Sequence, residues 1–160
     1  MLDMRAGTLT RIAHWCSPAG KKVKVVSTRL VSLAQRSVAA IEYTVEALDE
    51  FVRVTVQSEL VANEELPASS RDPRVAAVIK KPLEAVQAEH SERGAILLHR
   101  TRSSELLMAA AMEHDIDVPG RVEVTTGARV DWATTTVICG LRPGQRLRIV
   151  KYLAYGWSSL

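Results

Sequence analysis

At 160 residues and 47% hydrophobic, the chain is long enough for one domain with a sizeable core and too apolar to be disordered. With one Phe, three Trp and three Tyr, that core must be built mainly from Val, Leu, Ile and Ala. The net charge is only +3, and the lysines at Lys21, Lys22, Lys24, Lys80 and Lys81 have no aromatic residues among them, which argues against a nucleic-acid partner and for the wet face of a strand.

Leu2 to Met4 is a short apolar start, closed by a turn at Ala6-Gly7. Thr8 to Trp15 reads as a strand, and the turn Ser17-Pro18-Ala19-Gly20 folds it back onto the run from Lys21 as a hairpin. Lys21 to Glu46 carries two β-rich runs joined by a polar kink at Gln35-Arg36-Ser37, and reads as the middle of a sheet. Val23 and Val25 alternate with lysines, then the phase slips and Val26, Thr28 and Leu30 carry the alternation onward. A β-bulge leaves a one-residue slip of this kind, so one is expected between Val25 and Val26. Val38 to Val45 is the next strand, and Leu48-Asp49-Glu50 a polar turn. Phe51 to Leu60 then sets Val52, Val54, Val56, Ser58 and Leu60 on one face, the clearest period-two pattern in the chain.

Val61 to Lys81 breaks that rhythm. Pro67, Ser69-Ser70, Asp72-Pro73 and Pro82 mark it as one long loop, in which Val75 to Lys81 reads as a short helix or strand. Leu83 to Glu89 returns to an extended run, and Ser91 to Gly94 is a turn. Ala95 to Arg102 and Leu106 to His114 form a hairpin about Arg102-Ser103-Ser104. Met108 to Met112 has helix propensity, but its neighbours are strands and we read it as strand. Pro119-Gly120 is a turn, Val122 to Thr126 a strand and Gly127-Ala128 another turn. Val130 to Cys139, the turn Gly140 to Gly144, and Leu147 to Ala154 complete about nine or ten short strands, a pattern that predicts an all-β sandwich.

Chemistry is sparse. Asp49-Glu50, Glu64-Glu65, and Asp115 with Asp117 are neighbouring acids in turn-like stretches, which reads as solvated surface. His14, His90, His99 and His114 lack metal-ligand spacing, and Cys16 and Cys139 fit neither a zinc nor a CxxC pattern; both sit in strand-like surroundings, where a thiol acts as a small apolar group. They pair only if the fold brings them together. Gly20-Lys21 lacks the first glycine and the helix of a phosphate loop, and no GxSxG elbow exists. Trp15, Trp132 and Trp157 share no period, so we assign them to core and interface packing rather than to a sugar platform. No catalytic, cofactor-binding or metal-binding residue is predicted. Asn63, the one asparagine, stands at the start of the long loop with Asp72 and Arg74 further along it, and loops carry function more often than strands. No run approaches the ~20 apolar residues of a membrane span and MLDMRAGTLTR has no apolar signal core, so the expectation is a cytoplasmic protein without a membrane partner.

Several ordered segments carry a family resemblance. Trp15 to Gly20, Ser27 to Leu33, Ala39 to Tyr43, Ser58 to Asn63, Asp72-Pro73-Arg74 and Leu147 to Tyr155 together resemble the N-terminal domain of glycoside hydrolase family 65. That family holds maltose, trehalose and kojibiose phosphorylases and related α-glucoside hydrolases. The resemblance implies a galactose-mutarotase-like super-β-sandwich, here an incomplete later part of it. It implies that the proton-donating acid needed to break a glycosidic bond and the phosphate-binding residues lie in an (α/α)6 barrel beyond Leu160. It further implies that the barrel is this chain's partner, that the α-glucosyl disaccharide and phosphate belong to the parent enzyme, and that Asn63, Asp72 and Arg74 sit at the barrel interface without a cofactor. Unpaired edges left by early strands would favour self-association. Alternatives are a freestanding carbohydrate-binding module and a truncated remnant without activity.

Overall fold

Strands with one apolar and one polar face bury the apolar one by stacking sheet on sheet, and the chain's alternating valine-rich runs do so here. The computed structural model describes residues 1–64 and 81–158. In chain order the strands are β1 (Leu2–Asp3), β2 (Thr8–Cys16), β3 (Lys22–Val31), β4 (Val38–Ala47), β5 (Val52–Val61), β6 (Leu83–His90), β7 (Gly94–Thr101), β8 (Leu107–Asp117), β9 (Val122–Arg129), β10 (Trp132–Leu141) and β11 (Arg146–Ser158). No helix occurs among the described residues. A large sheet runs in the order β1-β2-β3-β4-β11-β8-β7-β6, and a small one in the order β5-β10-β9, with neighbouring strands antiparallel throughout. The all-β expectation holds, and the Lys21–Glu46 stretch does lie inside a sheet, as β3 and β4.

The core lies between the sheets. On β10 every second side chain is buried (Ala133, Thr135, Val137, Cys139 and Leu141), and of these Val137, Cys139 and Leu141 pack with Val45, Ala47, Leu147 and Ile149 of the large sheet. Each aliphatic side chain fully buried this way contributes about 1.5–3 kcal/mol. A second cluster gathers Ala95, Leu97, Met112 and Ala133.

Registry shows how far the small sheet reaches. Val31, Ala39, Leu153, Met112 and Ala95 form one row across β3, β4, β11, β8 and β7 on the face turned to the small sheet. Along it exposure falls from 61% at Val31 to 2% at Met112. A parallel row runs Trp15, Val23, Ala47, from 56% exposed to none. The small sheet therefore covers the half built around β4, β11, β8 and β7, and leaves β2 and the end of β3 bare on the same face.

Four expectations are corrected. No bulge interrupts β3 at Val25 and Val26, since its pairings with β2 and β4 run without a shift; the irregularity lies between Ala85 and Gln87 in β6. Val25 and Val26 point to opposite faces and both are half-buried, so the slip records a change in which face is apolar, not an added residue. Gly127-Ala128 is not a turn but part of β9, opposite Thr134 and Ala133, and the chain turns at Val130-Asp131. Core packing fails for Trp15 and Trp157, which are 56% and 65% exposed because they lie beyond the small sheet's reach, while Trp132 is half-buried with the Arg129 guanidinium 5.9 Å from its ring centre. Cys16 is exposed at the end of β2 and only Cys139 is buried; both are free thiols.

Candidate functional site

The points where the chain leaves β5 and enters β6 are held together at Asn63. Asn63 has φ 54° and Lys81 φ 52°, the left-handed region that asparagine enters more readily than most residues. Its side-chain oxygen accepts the Leu83 N–H at 3.1 Å, and its amide nitrogen donates to the Leu83 carbonyl at 2.9 Å and to Asp131 Oδ1 at 3.0 Å. Asp131 stands in the β9–β10 turn, and its carbonyl accepts the Ala62 N–H at 2.8 Å. The same Oδ1 accepts from His99 Nε2 at 2.9 Å, with His99 only 3% exposed on the inner face of β7. Four sequence-distant pieces (the β5 exit, the β6 entry, β7 and a hairpin turn) thus converge on one carboxylate. The arrangement fixes the exit of β5 against the entry of β6. Asp72 and Arg74, and Val75 to Lys80 of the predicted short element, lie outside the described residues, so of the predicted interface trio only Asn63 is placed.

A second polar cluster crosses the sandwich. His114 of β8 accepts from Ser58 Oγ at Nε2 (2.8 Å), while Nδ1–H donates to the Arg93 carbonyl at 2.7 Å. Since a carbonyl only accepts, the proton sits on Nδ1. Burial pushes the His114 pKa down; the Arg93 contact raises it, Lys151 lowers it and Glu113 raises it. The Lys151 ammonium donates to the Glu59 carbonyl at 2.5 Å, and burial lowers its pKa against the pull of Glu59. Burial raises the Cys139 thiol's pKa, which removes it as a nucleophile.

The outer face of the large sheet has an open concavity of about 430 Å³, where Glu89 and His90 of β6, Glu113 of β8 and Tyr152 of β11 meet. Sequence reasoning missed this set, because its members are far apart in the chain and only pairing brings them together. It also missed the stacked pair Tyr155 and Trp157 at the end of β11, with ring centres 6.0 Å apart and planes at 22°. Both lie on the inner face beside the bare half, in register with Ala110 and Met108. The predicted acidic pairs are exposed as expected: Asp49, Glu50, Glu64, Asp115 and Asp117 all lie at the surface. Among the described residues no group of His, Cys, Asp or Glu is placed to hold a metal ion, and no helix is long and apolar enough to cross a membrane.

The family model for the N-terminal domain of glycosyl hydrolase family 65 matches residues 1–160. An uncharacterized glycosyl hydrolase of Mycobacterium tuberculosis is 74% identical over 160 residues, which is all of this chain and 20% of that protein. An uncharacterized glycosyl hydrolase of Mycobacterium leprae is 73% identical over the same span. The α,α-trehalose phosphorylase of Thermoanaerobacter brockii is 25% identical over 156 residues, 97% of this chain and 20% of that enzyme. A solved protein from the human microbiome, provisionally named a kojibiose phosphorylase, superposes with a TM-score of 0.80 at 16% identity, over 98% of this chain and 19% of its own. The chain thus spans only 20% of the length of the curated relatives it matches. By the family model and these relatives together, it belongs to glycosyl hydrolase family 65 and corresponds to the N-terminal domain of its enzymes.

Proposed function

We propose that this domain is a non-catalytic part of an α-glucoside phosphorylase or hydrolase, supporting the catalytic barrel and shaping its entrance. The observation that carries the reading is the clasp at Asn63: four elements are joined where the chain leaves β5 and enters β6, which suits an intervening segment that a neighbouring domain uses. The barrel holds the acid and the phosphate site in this reading, with the α-glucosyl disaccharide and phosphate as its substrates. The setting is cytoplasmic, in keeping with two cysteines left as free thiols. The test is release of glucose 1-phosphate or glucose from maltose, trehalose and kojibiose by the 160-residue chain. No release above background is expected, and robust turnover by this chain would overturn the reading.

A second reading, a carbohydrate-binding module, draws on the exposed Tyr155–Trp157 stack, since a flat pair of rings suits a sugar face. Calorimetric titration with maltose and trehalose separates the two. Heat of binding that disappears in Trp157→Ala favours the module, and no heat favours the supporting domain.

A further inference from the structure

We propose that the concavity on the outer face of the large sheet is a non-catalytic binding site for a neutral saccharide, an α-glucosidic di- or oligosaccharide. The choice of sugar rests on the proposed function, whereas the site itself rests on geometry. Two neighbouring rows of side chains, fixed by strand registry, make its floor and rim. One row runs Val38, Ala154, Ala111, Ile96 and Glu89 across β4, β11, β8, β7 and β6. The next sets Tyr152 directly opposite Glu113, and Glu113 opposite Gly94. With strands about 4.8 Å apart, the β6 and β11 sides of this floor lie roughly 14 Å from one another. That span suits a short saccharide chain rather than a single sugar ring. The volume of about 430 Å³ falls in the usual range of small-molecule sites.

The floor is apolar. Val38, Ile96 and Tyr152 are 39%, 41% and 48% exposed, on a face that antiparallel sandwiches commonly leave polar. A sugar ring has apolar C–H faces, which a phenol ring and flat aliphatic groups cover. The rim supplies acceptors. Gln87 Nε2 donates to Glu89 Oε1 at 2.6 Å, which fixes that carboxylate and leaves its second oxygen to other donors. Glu113 lies over Gly94, where a Cβ would collide with the carboxylate and meet the Met112 carbonyl at 2.7 Å. A glycine inside a strand marks a close approach of this kind, and here it lets the carboxylate settle toward the floor. The two carboxylates accept the O–H groups of a sugar edge in charge-assisted hydrogen bonds.

Other ligand classes fit less well. No lysine or arginine lines the concavity, so phosphate and sugar phosphates find no counter-charge there. Among the described residues no set of His, Cys, Asp or Glu is placed to hold a metal ion. A cationic ligand would match the carboxylates but not the apolar floor between them, and the test separates it from a sugar.

Ile96 sits in the floor and reports on it directly. In the intact enzyme polypeptide with methyl-labelled isoleucines, its resonance is the one that disappears in Ile96→Val. We expect that resonance to move on titration with thio-linked maltose and trehalose, which resist cleavage, while that of Ile12 on the same face of β2 stays still. The shift should be lost in Tyr152→Ala and should need at least ~10-fold more sugar in Glu113→Ala. An unmoved Ile12 resonance in both variants shows that the sheet is intact. An Ile96 resonance that stays still with both sugars, or moves equally in Tyr152→Ala, overturns the proposal. So does a shift produced by spermidine and not by sugar, which would name a cationic ligand. Sugar cleavage by the 160-residue chain would sink the proposed function and leave the Ile96 result standing.

Discussion

His114 and Ser58 meet across the two sheets, Nε2 to Oγ at 2.8 Å, and the contact explains why a serine interrupts the valine stripe of β5. Burial keeps the ring neutral by holding its pKa below the ordinary 6.5. Between that lowered value and 6.5 the unfolded chain binds a proton that the folded one refuses, so stability rises with pH across the window. The contribution is complete above 6.5 and is lost as pH falls through the folded value. Melting temperature should therefore drop on acidification below 6.5, and His114→Gln should flatten the slope in that window. Asp49, whose pKa is lowered first by the Lys22 N–H and also by the Lys22 charge, acts in the same direction further down, below 3.8. An unchanged slope in His114→Gln would remove this histidine from the account.

Asn63 serves both conformation and hydrogen bonding, and two variants separate the roles. Asn63→Gly keeps the left-handed backbone but leaves Leu83 and Asp131 without the amide, at a cost of about 1–3 kcal/mol. Asn63→Ala loses the same bonds and adds about 1 kcal/mol of backbone strain. Urea unfolding should rank wild type above glycine above alanine. Equal stability of the two variants would show that the φ of 54° carries no strain.

At Gly94 an added Cβ would meet the Met112 carbonyl at 2.7 Å and clash with Glu113 Oε2. The carboxylate can swing aside, but the carbonyl belongs to the β7–β8 ladder. Gly94→Ala should destabilise by about 1–3 kcal/mol, with less than half recovered on adding Glu113→Ala. Full recovery in the double variant would assign the whole effect to the carboxylate.

Leu147 is fully buried between the sheets, whereas Val31 in the same large sheet is 61% exposed. Leu147→Ala should cost about 2–5 kcal/mol. Val31→Ala in the 160-residue chain should stay within about 0.5 kcal/mol of wild type. Comparable losses at both sites would mean that the β3 end is covered after all.

The β5 stripe was legible in the residues themselves, because a strand with one wet and one dry face writes a period of two into its sequence. Turns rich in Gly, Pro, Ser and Asp were legible for the same local reason, and the ordered segments from Trp15 to Tyr155 carried the family. Where both faces of a strand hold apolar groups the period blurs, and β3 then suggested a bulge that pairing places in β6 instead. Gly127 sits in a ladder despite its turn propensity, because its neighbours Ala128 and Thr126 face the core and a hydroxyl partner. Asn63 stood out by its place in the loop, but its partners Asp131 and His99 come from strands remote in sequence. Local patterning thus determined which segments are strands and which residue opens the loop. Tertiary structure alone decided which side chains meet, and that Trp15 and Trp157 stay exposed, because burial depends on how far the opposing sheet extends and no residue's immediate neighbours record that reach.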